Sequence, residues 1–134
     1  MHAKLNNIFI VKNRQKLNLV ALGFVDNKII IIDLILMKIY QEIKTSDTVY
    51  SLAQFKDDSK YLLCSLKNWQ MIIYILKEYK YKEFQILEKP QEIRRGEINK
   101  VITLSDGNIA TAERGVISIW KPKLEKKRKK IWIL

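Results

Sequence analysis

Apolar residues along this chain fall in short, dense runs of four to seven, separated by polar breaks of a few residues. Ile, Val, Tyr and Phe dominate the runs. Such side chains lose rotamer freedom in a helix and pack well on a pleated surface, so the runs read as strands. No segment keeps apolar residues at three-to-four spacing over three turns, which argues against helices. The first four runs are I-F-I-V (8–11), L-V-A-L-G-F (19–24), I-I-I-I-D-L (29–34) and K-I-Y-Q-E-I (38–43). The next four are V-Y-S-L-A-Q-F (49–55), Y-L-L-C-S-L (61–66), I-I-Y-I-L-K (72–77) and Y-K-E-F-Q-I-L (81–87). The last four are I-N-K-V-I-T-L (98–104), N-I-A-T-A-E (108–113), V-I-S-I-W-K (116–121) and K-I-W-I-L (130–134).

The breaks carry turn chemistry: K-N-R-Q, K-D-D-S and S-D-G lie between the first and second runs of the three sets. Asp106-Gly107 is a strong hairpin signal, because Gly permits the positive φ of tight turns. Within each set the third run is almost continuously apolar, the pattern of a strand covered on both faces. Y-K-E-F-Q-I-L alternates, as a half-exposed outer strand does. The segment Leu87 to Lys100, with Pro90, reads as a loop or short helix joining the second set to the third. Anchoring the third runs on Ile32, Leu76 and Trp120 gives spacings of 44 and 44 residues. The chain is therefore a repeat of a four-stranded unit, over about 5–44, 48–88 and 97–134.

A unit of about 40 to 45 residues, with four short strands and a Trp-Asp-like pair closing the third, resembles the WD-repeat family. D-N-K-I-I-I-I-D, Asp26 to Asp33, supplies both aspartates of the family's usual ending but places Ile32 where Trp is usual. V-I-S-I-W-K supplies Trp120 but puts Lys121 in place of Asp. I-N-K-V-I-T-L-S-D-G-N-I-A-T-A is similar to the family's first hairpin. The Gly-His pair that often opens a unit is absent, so the hydrogen-bond network associated with it is incomplete. The resemblance implies an all-β fold, a partial β-propeller of three four-stranded antiparallel blades. Propellers close with four to eight blades, so three leave the flanks of the first and last uncovered. The chain is then expected to be part of a longer propeller, or to assemble with itself or a partner.

Composition narrows the function. A chain of 134 residues with 48% apolar and 29% charged residues can bury a core. The longest apolar run, Ile29 to Met37, is broken by Asp33 and falls well short of the ~20 residues that cross a bilayer. The start shows neither a signal-peptide core nor a cleavage site, and the single cysteine, Cys64, suits a reducing compartment. An intracellular location, cytoplasmic rather than nuclear, is expected. His2 is the only histidine, so no Ser or Cys triad of the usual kind can be assembled. No Cys or His pair stands at metal-ligand spacing, Asp57-Asp58 falls in a turn, and the four glycines stand singly rather than in a phosphate loop. No catalytic residue, metal or cofactor is expected, and the chain reads as a non-enzyme.

Two features point to partners. Trp69 lies in S-L-K-N-W-Q between two strands, where an aromatic either packs locally or meets a partner. The net charge of +11 is concentrated at the end: 121–134 carries seven Lys or Arg against one Glu, or +6, leaving +5 for the rest. Lys126, Lys127, Arg128, Lys129 and Lys130 are consecutive and basic. The function expected is a protein-interaction scaffold. The alternative is a polyanion-binding module, for nucleic acid or acidic lipid, acting through this basic run.

Overall fold

The computed structural model describes residues 4–11, 18–55, 58–94, 96–98 and 100–124. Its strands form three antiparallel sheets, each joined in sequence order. The first sheet contains β1 (Leu5–Val11), β2 (Leu19–Phe24), β3 (Lys28–Asp33) and β4 (Lys38–Lys44). The second contains β5 (Val49–Gln54), β6 (Tyr61–Leu66), β7 (Gln70–Lys77) and β8 (Lys80–Glu88). The third contains β9 (Lys100–Thr103), β10 (Ile109–Glu113) and β11 (Val116–Trp120). The strand expected at 130–134 lies outside the described residues. The segment joining the second and third sheets is a loop with one 3₁₀ turn, Gln91–Ile93, entered from Pro90. The Asp106-Gly107 turn forms as its sequence demands: Gly107 has φ of 85°, and Asp106 Oδ1 accepts the Asn108 N–H at 3.0 Å.

The sheets stack face to face, with β1 beside β5 and β5 beside β9, so the first strands line the inner side of the stack. Between the first and second sheets, Leu19, Ala21, Ile29 and Ile31 meet Leu52, Leu62, Cys64, Ile72 and Tyr74. Between the second and third, Tyr61, Leu63, Met71 and Ile73 meet Ile98, Val101 and Ile109. Outer strands are tied as well: the Gln41 side-chain amide both donates to and accepts from the Tyr81 backbone, at 2.8 Å each way.

Because, among the described residues, only the second sheet has neighbours on both sides, all of β6 is buried and β7 is buried from Met71 to Ile75. The expectation that every third strand is covered on both faces holds for β7 alone. In β3 burial alternates, and in β11 Val116, Ile117 and Ile119 are exposed. Those runs are apolar because of the place they occupy in a stack, and the end sheets lack one neighbour among the described residues.

Gly23 sets how closely the first two sheets approach. A Cβ there would lie 2.5 Å from Val49 Cγ1 and 3.5 Å from Leu52 Cδ1. Gly23→Ala is therefore expected to destabilise by about 1–3 kcal/mol through overpacking, read as a lower urea midpoint. No change would mean that β5 can retreat freely.

Candidate functional site

No group of three His, Cys, Asp or Glu side chains among the described residues could hold a metal ion. Cys64 is fully buried between the first two sheets, and burial pushes its thiol up, which suppresses the reactive thiolate. A thiol reagent such as DTNB is expected to leave Cys64 unmodified in the folded chain and to titrate one thiol in denaturant. Prompt reaction without denaturant would show that the stack opens. Asp58, of the acidic turn pair, lies 3.8 Å from Lys60 Nζ; Asp57 is outside the described residues. No helix among the described residues is long and apolar enough to cross a membrane.

The structure gives Trp69 a place within the chain. It occupies the β6–β7 turn with φ of 60°, and packs against the core between the second and third sheets. Its indole N–H donates to the Gly96 carbonyl at 2.7 Å, and the Arg94 guanidinium stands 5.0 Å from the ring centroid. Arg94 in turn donates to the Lys89 carbonyl and reaches Glu88. Trp69 thus pins the connecting segment to the second sheet. Lys126, Lys127, Arg128, Lys129 and Lys130 lie outside the described residues.

Sequence reasoning missed a polar network in the third sheet. The ammonium of Lys89, in the connecting segment, pairs with the Glu113 carboxylate and donates to Ser118 Oγ at 2.9 Å. Thr111 Oγ1 is 3.3 Å from Glu113 Oε1 and accepts the Trp120 indole N–H at 2.8 Å. Lys89 and Glu113 are only 4% and 6% exposed, so the pair is held almost without water. No spacing rule joins these residues, because they meet only when the loop after β8 folds across the third sheet.

It also missed a turn. Leu34 to Met37 connects β3 to β4, and all four apolar side chains are exposed, Ile35 at 71% and Met37 at 76%. Their backbone is fixed rather than slack: Asp33 Oδ1 accepts the N–H groups of Ile35 and Leu36 at 2.9 and 3.0 Å, and the Leu34 N–H reaches the Asn18 carbonyl. The corresponding turn of the second sheet is Glu78-Tyr79, joined to the first sheet by a hydrogen bond from the Tyr40 hydroxyl to the Tyr79 carbonyl. A polar turn serves that position there, so the fold itself does not require L-I-L-M. Further apolar exposure lies on the two end faces, at Leu5, Ile8, Ile10 and Ile39 on the first sheet and Ile102, Ile117 and Ile119 on the third. The signal available in sequence was the second half of the apolar run Ile29 to Met37, beyond its break at Asp33.

No protein-family model matches the sequence, and no curated protein does. Solved structures do match in fold. A chain of the crystal structure of the mitotic checkpoint complex superposes with a TM-score of 0.68 at 14% identity, over 84% of this chain and 35% of that one. The β-propeller domain of Cps50 (Swd1) from Myceliophteria thermophila superposes with a TM-score of 0.65 at 18% identity, over 90% of this chain and 39% of that one. The chain spans well under half the length of either. Two stacked four-stranded meanders and a third of three described strands, with their first strands inward and superposable on these structures, show that the chain has the fold of a WD-repeat-type β-propeller, present here as a partial one.

Proposed function

We propose that the chain is a non-catalytic protein-interaction scaffold whose partner contacts the Leu34 to Met37 turn. The observation that supports this is a backbone-fixed turn holding four large apolar side chains in water. Exposed apolar surface of this kind is what protein interfaces cover. The neighbours belong to a complex and to a propeller domain, in keeping with protein partners in general. Candidate partners include a second copy or further blades. The compartment we assign is the cytoplasm.

The test is capture by the tagged chain from nuclease-treated extract at low and high salt. Defined proteins retained at high salt by the native chain and lost from Ile35→Asp/Met37→Asp, with its circular dichroism spectrum intact, support the reading. Equal capture by both overturns it. The second reading, polyanion binding, rests on the five consecutive basic residues Lys126 to Lys130. Replacing them with Gln should remove a salt-sensitive interaction with nucleic acid or acidic lipid and leave protein capture in place.

A further inference from the structure

The first strands of the first two blades are one structure met twice, 44 residues apart. β1 and β5 each slip register once, between Leu5 and Asn7 and between Val49 and Ser51. Leu5 thus corresponds to Val49, and Ile8 to Leu52. Inside the chain Val49 and Leu52 act as a plug: they press on the first blade at Gly23 and are 0% and 5% exposed. The socket is Gly23 of β2, with buried Ala21 beside it on the same face of that strand and in the same core as Val49 and Leu52. Leu5 and Ile8 are the same plug on the far face of the first blade, at 43% and 62% exposure.

A matching socket stands at the other end of the stack. Ile32 pairs with Val20 and Trp120 with Ile109, so with the repeat anchors aligned Ala21 corresponds to Ala110 and Gly23 to Ala112. Both alanines lie on the face turned away from the second blade. They floor an open groove of about 110 Å³ walled by Ile102 and Ile117. Among the described residues, one chain therefore leaves a socket open on one end face and a plug exposed on the other, at positions equivalent to a plug and socket already joined within it.

We infer that a second copy of this chain docks head to tail, with Leu5 and Ile8 of each copy seated in the Ala110 to Ala112 groove of the other. The inference goes beyond the reading proposed above, since it concerns the two end faces and not the Leu34 to Met37 turn. The contact repeats the packing of the first blade on the second. Made twice between two copies, it brings together six blades, within the four to eight over which propellers close. Closure also removes the exposed faces that would otherwise invite open-ended association.

Light scattering of the full chain tests this. The mass expected is twice 15.9 kDa. Ile8→Glu and Ala112→Glu, both at exposed positions, should each halve it while leaving the circular dichroism spectrum unchanged. Mixing the two variants should restore a one-to-one pair, because the first keeps its socket and the second its plug. A native chain that stays monomeric, or a dimer indifferent to both substitutions, overturns the inference. If either variant fails to fold, Leu5→Cys/Ala112→Cys replaces it: oxidation should link two copies, and buried Cys64 should not compete. Failure to cross-link also counts against the inference. A monomer that still captures protein through the Leu34 to Met37 turn leaves the scaffold reading standing, and a dimer that captures nothing overturns only that reading.

Discussion

Replacing Glu113 by Ala is expected to lower the stability of the folded chain by about 3–5 kcal/mol, because it strips the counter-charge from a buried ammonium. Lys89 is 4% exposed, and without the carboxylate its described partner is the Ser118 hydroxyl. A domain of this size is stable by roughly 5–15 kcal/mol, so the loss is a large share of the whole. The double variant Lys89→Met/Glu113→Leu should recover most of it, since two apolar side chains in the same space need neither desolvation nor pairing. The pair Arg94 to Glu88, 3.2 Å apart with Glu88 in water, is the control, and Glu88→Ala should cost less than about 1 kcal/mol. Urea midpoints of the four proteins decide the matter. A Glu113→Ala cost near that of Glu88→Ala would show that water reaches the Lys89 site.

Tyr61→Ala should cost about 3–5 kcal/mol, the range for removing a large buried aromatic and leaving its cavity. Tyr61 is fully buried in β6, edge-on to Phe55 at 6.1 Å between centroids and tilted against Phe84 at 5.4 Å. These rings come from the residue just after β5 and the middle of β8, so Tyr61 fastens the inner and outer strands of the second blade where the third blade packs. The comparison is Tyr79→Ala, whose side chain is 60% exposed and whose change should stay within about 0.5 kcal/mol. Comparable midpoints for the two would place the core elsewhere than around Tyr61.

The strands were legible because their cause is local. L-V-A-L-G-F and Y-L-L-C-S-L coincide with β2 and β6, and the Asp106-Gly107 turn forms where its φ requirement predicts. The 44-residue spacing reappears in space, since Ile32, Leu76 and Trp120 sit on the same face of their blades. Trp69 was singled out, but its engagement with Gly96 and Arg94 depends on a segment more than 20 residues away. Lys89 and Glu113 gave no sign of each other, being 24 residues apart in different elements. The Leu34 to Met37 turn fell between two expected strands and was not singled out, because hydrophobicity alone does not tell a covered side chain from one held in water.

Periodicity, turn residues and repeat length, each acting over a few residues, thus determined the strands, their meander order and the repetition of one unit. Tertiary structure alone decided which faces are covered, which charges are buried together and where apolar residues stay in water, because burial depends on what the neighbouring sheet supplies. Val49 and Leu52 are core while their counterparts Leu5 and Ile8 are surface, and the difference is the presence of a sheet on the other side.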